Sequence, residues 1–301
     1  MCTQNQPADS ICQAGIARKS CSPNMNQKFE IFAGTLSTLG ARITHLETTS
    51  STMDVAWQQA QDGAPDGTIV VVDHQTAGRG RHDRSWVSRQ AQDILCSVVL
   101  RPRVSLAGEL LMLAALAVTD VTDALGVDAG IKWPNDVQVS GLKLAGVIAE
   151  SKTGPEPTVL LGAERSSGKD EDVDRITAVL GIGLNVNFNP STELDAAPES
   201  TSLSRELGRN VDRKEVFLEL MRALESGYSA ITSGDSIVPK WRNRLTTLGR
   251  EVTIASGKPG DSIDLQGVAQ DVDSIGRLII RDENGRDWPV AAGEVTVRDI
   301  K

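Results

Sequence analysis

Apolar residues occur in two spacings along the chain, and these spacings separate the predicted strands from the predicted helices. Three aliphatic runs, Ile43–Thr49, Gly67–Asp73 and Asp93–Arg101, have the length and β-branched composition of strands. Apolar residues three and four positions apart predict helices over four segments: Thr52–Gln61, Leu106–Leu125, Arg213–Ile231 and Ile237–Leu245.

A second group of strands is separated by a tight turn. Gly130–Trp133 and Asp136–Val139 frame a turn at Pro134–Asn135, where the proline fixes its own φ. Leu144–Ser151 and Ala178–Asn187 have the composition of central strands. Together with the helices, these strands predict a mixed α+β domain.

Three segments differ from this domain in composition and periodicity. Residues 1–42 are polar and lack periodicity, so we expect a disordered tail. Lys152–Arg175 is rich in Gly, Pro and charged residues, which indicates an enlarged hairpin loop. Residues 248–301 contain short strands separated by glycines, as in a small β-barrel. We therefore predict a domain over 43–247 and a small all-β domain over 248–301.

Composition limits the partners of the protein. The 301 residues carry a formal net charge of -9 at pH 7. An acidic chain is a poor match for the phosphate backbone of nucleic acid. No apolar run approaches the roughly 20 residues that a membrane span needs. We expect a cytoplasmic protein without a nucleic-acid or membrane partner. Composition does not fix the oligomeric state, which we expect to be a monomer or weak homodimer.

The cysteines and histidines favour neither a disulfide framework nor a metal site. Cys2, Cys12 and Cys21 have spacings that match no zinc or iron–sulfur pattern. Cys96 lies in an apolar run, where a buried free thiol is expected. The three histidines lack the spacing of metal ligands.

The segment HQTAGRGRHDRSW is the first candidate for chemistry. It places Gly78 and Gly80 beside Arg79 and Arg81, with Arg84 three residues later. Glycine allows a ligand to approach the backbone closely, and guanidinium groups bind phosphate oxygens in a bidentate way. A flexible cationic loop on an acidic protein indicates a nucleotide-sized anion, although a solvated basic turn has the same composition.

The motif KWPND is the second candidate. Pro134 makes the turn rigid, so that Lys132, Asn135 and Asp136 project from one corner. A Lys–Asp pair with a purely structural role is the alternative interpretation.

Two further motifs follow at strand-forming segments. Lys143 opens the run KLAGV, where small residues leave room for a ligand beside a cation, although an ordinary strand-end lysine fits equally. Gly181 and Gly183 alternate in GIGLNVN, which weakens a strand unless another group approaches closely. Asn185 and the asparagine two residues later are expected on one face of this strand.

The motifs GRGR, KWPND, KLAG and GxGxN occur here in the order in which biotin–protein ligases carry them. The chain resembles that family over about residues 43–301. The resemblance implies an α+β fold of the class II synthetase-like, biotin/lipoyl ligase type. Its mixed central sheet is flanked by helices and followed by a small C-terminal SH3-like β-barrel. It also implies the short form without an N-terminal DNA-binding domain, because 1–42 is too short and lacks helical periodicity.

The resemblance assigns the biotin-binding residues position by position. They are Ser51, Thr52, Met53, Gln75, Gly78, Arg79, Gly80, Arg81, Lys143 and Gly146. Two positions depart from the family pattern. Met53 stands where the family often has Asn, which removes one polar contact, and Asp83 stands where it often has Gly.

The resemblance also implies the nucleotide-binding and catalytic residues. ATP or the adenylate is assigned Arg79, Arg81, Arg84, Trp86, Lys132, Asn135, Lys143 and Asn185, with Trp86 near the adenine. Asn185 is also the candidate for contact with Mg²⁺ through the phosphates. The catalytic set is Arg81, Lys143, Asp136 and Lys132.

The resemblance implies a reaction in two steps. Biotin and ATP, with Mg²⁺, give biotinyl-5′-AMP and pyrophosphate. A lysine of a biotin carboxyl carrier protein, from an acetyl-CoA, related acyl-CoA or pyruvate carboxylase, then attacks the adenylate. Cations stabilise the transferring phosphoryl group. Asp136 is expected to take the proton of the attacking amine.

Three other functions fit less of the sequence. A lipoyl or octanoyl ligase shares the fold and acyl-adenylate chemistry but does not account for GRGR and KWPND. A transcriptional regulator needs a DNA-binding module, and a non-catalytic biotin-binding protein needs no adenylate loop. We therefore predict an ATP-dependent ligase.

Overall fold

The computed structural model describes residues 29–32, 34, 36–80, 85–152, 158–159, 175–193, 199–256, 263–291 and 294–297. These residues form a large mixed sheet flanked by helices and a smaller antiparallel sheet near the C-terminus. The predicted fold class is confirmed. None of the helices in these ranges combines the length and apolar character needed to cross a membrane.

The large sheet has the strand order β1-β2-β5-β10-β8-β7-β6, with β9 paired to β8. β1 and β2 are parallel, and the other pairs are antiparallel. A separate two-stranded ribbon joins β3 and β4. The strands are β1 (Ile43–Thr49), β2 (Thr68–Gln75), β3 (Gly78–Arg79), β4 (Ser85–Trp86), β5 (Ile94–Leu100), β6 (Gly130–Lys132), β7 (Asp136–Val139), β8 (Leu142–Lys152), β9 (Thr158–Val159) and β10 (Thr177–Leu184).

Polar residues cap the N-termini of several of the described helices. Ser51 caps the first long helix by accepting a hydrogen bond from the amide of Met53, and Asp212 caps the fifth. Short 3-10 helices span Phe29–Phe32 and Val104–Leu106. The α-helices are α1 (Thr52–Gln61), α2 (Glu109–Ala124), α3 (Pro190–Glu193), α4 (Leu203–Leu207), α5 (Arg213–Thr232) and α6 (Val238–Asn243).

Side chains of the central strands alternate between two apolar layers. Val70, Val99 and Val179 face α1, in a cluster with Met53 and Trp57. The neighbouring residues on the same strands join the larger core under α2 and α5. Because successive strand residues point to opposite faces, continuous apolar runs bury both sides of the sheet.

The C-terminal sheet has the order β14-β13-β12-β11-β15, and every pair is antiparallel. A β-bulge in β12 lies between Ala269 and Asp271. The five strands are β11 (Glu251–Ser256), β12 (Ile263–Val272), β13 (Leu278–Arg281), β14 (Asp287–Val290) and β15 (Glu294–Val297).

The expectation of a disordered tail over 1–42 is wrong for its last part. Phe29 is 2% exposed, and its ring contacts Phe217 of α5 at 4.8 Å between centroids. Leu39 is fully buried in the main core. The periodicity test missed this segment because isolated apolar residues anchor it without a repeat. Residues 1–28 lie outside the described ranges.

Two strand predictions also need correction. The strand predicted over Ala178–Asn187 ends at Leu184, and the strand predicted to end at Asp73 continues to Gln75. Of the Lys152–Arg175 loop, only its ends and β9 are described. β8 and β10 pair as antiparallel neighbours, as expected for strands joined by a hairpin connection.

Candidate functional site

A cavity of about 170 Å³ opens where the N-terminus of α1, the ends of β2 and β10, and the KWPND turn meet. A concave site lined by apolar surfaces and a few converging polar groups is typical of small-molecule binding. Most predicted site residues in the described ranges line this cavity. These are Ser51, Thr52, Met53, Gln75, Arg79, Gly80, Trp86, Lys132, Asn135, Asp136, Lys143 and Gly146.

One wall of the cavity is a hydrogen-bonded polar network. The Gln75 carboxamide oxygen accepts hydrogen bonds from the Thr52 amide at 2.7 Å and from the Thr52 hydroxyl at 3.1 Å. The Ser97 hydroxyl donates to Thr52 Oγ1 at 2.8 Å. Ser51 and Thr52 are almost completely buried. This network orients the Gln75 side chain, whose Nε2 lies beside Gly78, and gives the wall fixed donors and acceptors.

The alternating glycines of β10 make room for two large side chains. A Cβ on Gly181 would lie 2.7 Å from Met53 Sδ, and a Cβ on Gly183 would lie 2.6 Å from Trp86 Cε2. Gly146 also faces the Trp86 ring. The expectation that another group closely approaches this strand is therefore correct, and the approaching groups are side chains of the protein.

Two cations of the cavity are paired with carboxylates. Lys143 Nζ lies 2.7 Å from Asp136 Oδ1, and their side chains are 36% and 25% exposed. Lys143 Nζ also lies 5.5 Å from the centroid of the Trp86 ring. Arg79 Nη2 lies 2.5 Å from Asp54 Oδ1, with both side chains about half exposed. The cavity therefore carries positive charge that a ligand can recruit by displacing a carboxylate.

The KWPND residues form the Lys132–Asp136 corner, which lies between β6 and β7. The Asn135 side-chain amide donates to the carbonyl of Val147 at 2.7 Å and so ties the corner to β8. The Trp133–Pro134 peptide bond is cis. The predicted corner is present, and its Lys–Asp pair is formed by Asp136 with Lys143 of the next strand.

The expected alternation of the two asparagines after β10 is not observed, because the strand ends before them. Asn185 is 2% exposed, and its side-chain amide donates to the carbonyl of Thr201 at 2.9 Å. The Asn187 amide donates to the carbonyl of Val211 at 3.0 Å. Asn185 is not among the cavity-lining residues of the described chain, so its contact with phosphate or Mg²⁺ stays a prediction from the sequence.

Three predicted positions lie outside the described residues: Arg81, Asp83 and Arg84. The sequence analysis also missed a residue at the rim of the cavity. Asp54 lies in the first turn of α1, where an acidic residue usually serves the helix dipole, and it pairs instead with Arg79. No pattern in the sequence links these two residues.

The cavity also contains the predicted buried thiol. Cys96 is free and 1% exposed, and burial raises the pKa of its thiol to about 12. A thiol in this state is a poor nucleophile. Within the described ranges there is no cluster of three or more His, Cys, Asp or Glu side chains that fits a metal ion. These residues do not form a resident metal site.

Comparison with known proteins gives consistent matches in both parts of the chain. Residues 45–161 match the Biotin/lipoate A/B protein ligase family, and residues 247–298 match the Biotin protein ligase C terminal domain. The chain is similar to the biotin–[acetyl-CoA-carboxylase] ligase of Mycobacterium tuberculosis, at 35% identity over 258 residues. That match covers 83% of this chain and 86% of the relative.

Two further likenesses differ in coverage and identity. The bifunctional ligase/repressor BirA of Bacillus subtilis is 34% identical over 195 residues, or 63% of this chain, which spans 54% of that relative's length. A structure of the biotin protein ligase of Aquifex aeolicus in complex with biotin and ATP superposes with a TM-score of 0.63. It is 23% identical, and the match covers 85% of this chain and 98% of that one. The likeness to the Aquifex aeolicus structure concerns the fold alone.

Proposed function

This chain belongs to the biotin protein ligase family, and from that premise we propose that it attaches biotin to carrier proteins in an ATP-dependent reaction. The proposed substrates are biotin, ATP with its Mg²⁺, and a biotin carboxyl carrier protein of a carboxylase. The repressor activity in the name of the Bacillus relative is not carried over, because the match covers about half of that protein. Use of ATP supports the predicted cytoplasmic location.

One observation carries this proposal: a polar wall with fixed hydrogen-bonding groups faces paired cations across one small cavity. Thr52, Gln75 and Ser51 present polar groups that suit the ureido ring of biotin. Lys143 and Arg79 present charges that suit a carboxylate and a phosphate. The presence of both kinds of group in one cavity supports the proposal of a carboxyl-adenylating site.

In the first step, the carboxylate of biotin attacks the α-phosphate of ATP, the bond between the α- and β-phosphates breaks, and pyrophosphate leaves. Two anions must approach each other, and cations aimed at the transferring phosphoryl group lower that barrier. Lys143 and Arg79 line the cavity, and we assign them this role with Arg81. No protein ligands are assigned to Mg²⁺, which we treat as part of the MgATP substrate.

In the second step, a carrier lysine attacks the acyl carbon of the mixed anhydride, the bond from that carbon to the phosphate oxygen breaks, and AMP leaves. A free lysine has a pKa near 10.4, so the amine needs a group that takes its proton as it attacks. Asp136 lies at the cavity, one quarter exposed and beside Lys143. We assign it that proton, since a carboxylate at the mouth meets an incoming amine first.

The test is to incubate the protein with biotin, MgATP and a biotin carrier domain and to weigh the carrier by intact-mass spectrometry. We expect a gain of one biotinyl group that requires ATP and is absent when lipoate replaces biotin. Transfer of lipoate would support the alternative ligase class. Tight biotin binding without any mass gain would contradict the enzymatic proposal.

Arg81→Ala is expected to slow formation of biotinyl-5′-AMP and to let it escape into solution. We assign the Arg81 guanidinium group to the loop that closes over the adenylate, and the alanine variant lacks that positive charge. Quenched-flow assays of adenylate formation and filtration of free adenylate measure the two effects. Normal formation and normal retention would show that this role of Arg81 is wrong.

A further inference from the structure

Trp133 lies in the middle of the Lys132–Asp136 corner, where it lines the cavity together with its neighbours. Its side chain is 1% exposed, and both of its nitrogen atoms donate to residues far along the chain. The backbone amide donates to Thr247 Oγ1 at 2.9 Å. The indole Nε1 donates to the carbonyl of Gly276 at 3.1 Å.

The first of these contacts continues an extended pairing. Ile131 in β6 forms a parallel bridge with Leu245, and its amide donates to the carbonyl of Arg244 at 2.7 Å. The Thr246 amide donates back to the carbonyl of Ile131 at 2.9 Å. The segment 244–247 therefore runs beside β6 and leads directly into β11 of the C-terminal sheet.

The second contact comes from a rigid turn between β12 and β13. Asp273 Oδ1 accepts hydrogen bonds from the amides of Ile275 at 3.1 Å and Arg277 at 2.9 Å. Asp273 Oδ2 accepts from Arg277 Nε at 2.6 Å. Gly276 adopts a left-handed φ of +82° in this turn and is buried against Met112. The turn thus presents the Gly276 carbonyl at a defined position.

We propose that Trp133 is a positioning residue that links the C-terminal domain to the nucleotide side of the cavity. Lys132, Asn135 and Asp136 line the cavity on either side of it. Two hydrogen bonds at opposite ends of one buried residue fix both the translation and the tilt of the corner. This inference rests on the proposed function for its assignment of Lys132 and Asn135 to ATP.

The polar wall for biotin is built from other elements. Ser51, Thr52 and Gln75 belong to α1 and β2, and their hydrogen bonds do not involve Trp133. Loosening the corner therefore predicts a selective effect. The KM for ATP rises, while the Kd for biotin stays the same.

Three variants test this link. Trp133→Phe removes the indole donor, Thr247→Val removes the hydroxyl acceptor, and Asp273→Ala loosens the turn between β12 and β13. In each, we expect the KM for ATP to rise about fivefold, as for a lost hydrogen bond of ordinary strength. Biotin Kd by calorimetry is expected to stay within about twofold, since its wall is untouched. Trp288→Phe is the matched control, because it removes an indole hydrogen bond to Asp282 that joins two residues within the C-terminal domain.

Hydrogen exchange gives a readout that does not depend on the chemistry. Asp273→Ala is expected to speed exchange of the Ile131 and Trp133 amides and to leave the Thr52 amide unchanged. Unchanged exchange and unchanged KM for ATP in the three variants would overturn the proposal. A parallel rise of biotin Kd would also overturn it, because it would indicate general loosening. A wild-type protein that forms no adenylate would refute the proposed function. The hydrogen-exchange experiment would still show whether Trp133 links the corner to the C-terminal domain.

Discussion

Gly181 and Gly183 show how individual residues shape the cavity. Each lacks a side chain at the point where Met53 or Trp86 packs onto β10. Met53 replaces a polar residue that the family often carries, and its thioether fills the space over Gly181. Met53, which departs from the family pattern, therefore packs against Gly181, and the local sequence does not reveal this contact.

Gly183→Ala is expected to impair adenylate formation by tenfold or more. The added Cβ would lie 2.6 Å from Trp86, so the indole must leave the face of β10. Trp86→Phe in the same background should restore part of the activity, since the smaller ring relieves the overlap. Steady-state pyrophosphate release measures both variants, and wild-type activity in Gly183→Ala would contradict the packing argument.

Asp54→Asn is expected to lower the KM for ATP about two- to fivefold. Asp54 holds the Arg79 guanidinium at the rim of the cavity, and a half-exposed pair of this kind is worth up to about 1 kcal/mol. Without the carboxylate, Arg79 is free to meet the nucleotide. Kinetics at several salt concentrations measure the change, since screening weakens it.

Asp62→Asn provides the charge-matched control, because Asp62 caps the other end of α1. It removes the same charge without touching Arg79. The effect of Asp54→Asn should also disappear in an Arg79→Ala background. An equal gain from both aspartate variants would show that net charge, and not the pair, governs ATP binding.

At the scale of elements, one buried carboxylate joins the segment before β5 to the turn after β10. Asp93 is fully buried, and its Oδ1 accepts a hydrogen bond from the Val186 amide at 2.9 Å. Desolvation raises the pKa of Asp93 to about 7, although nearby backbone amides and Arg213 act in the opposite direction. The turn that holds Asn185 is therefore anchored by a group that titrates near neutrality.

Asp93 should make the protein less stable as the pH rises through neutrality. Its carboxyl has a higher pKa in the folded chain than the ordinary value of 3.8, so it binds a proton more tightly there. Its stabilising contribution is thus complete below about pH 4 and is lost as the pH rises through about 7. Asp93→Asn keeps the oxygen acceptor without the charge, and its stability relative to wild type should grow by at most about 4 kcal/mol from pH 4 to 8.

Urea unfolding at several pH values measures this difference. If Asp93→Asn followed the wild-type pH profile, Asp93 would not be the titrating group.

At the scale of the whole molecule, an N-terminal segment packs on the back of the large sheet. The Phe29 ring lies 4.8 Å from Arg213 and 5.2 Å from the His45 ring. Arg213 and His45 both contact the Asp73 carboxylate. Burial alone raises the pKa of Asp73, but hydrogen bonds from His45 and Arg213 outweigh it and lower the pKa overall. The segment thus covers a charged cluster at the start of α5.

Phe29→Ala is expected to lower the free energy of unfolding by about 3 kcal/mol, as for other buried aromatic residues. Phe32→Ala should cost less, because Phe32 is only partly buried and lies 6.2 Å from Phe217. Urea unfolding of the two variants gives the comparison. A loss below about 0.5 kcal/mol for Phe29→Ala would mean that this segment does not hold the fold together.

Elements with a strong local signal were predicted well, and those defined by distant partners were not. α1 matches its predicted bounds because apolar spacing and the Ser51 cap are both local features. β10 ends three residues early because Asn185 and Asn187 bond to Thr201 and Val211, which lie far along the chain. Phe29 was missed because its partners lie in α5.

The sequence by itself determined the α+β fold class and the order of the motifs, and the family resemblance of those motifs predicted which residues form the site. These features depend on local periodicity, turn chemistry and residue identity, which are all present in the linear chain. The tertiary structure decided which charges pair, Lys143 with Asp136 and Arg79 with Asp54. It also decided that Trp133 donates hydrogen bonds to Thr247 and Gly276. Such pairs join residues that only folding brings together, because geometry in three dimensions selects each partner from many of similar chemistry.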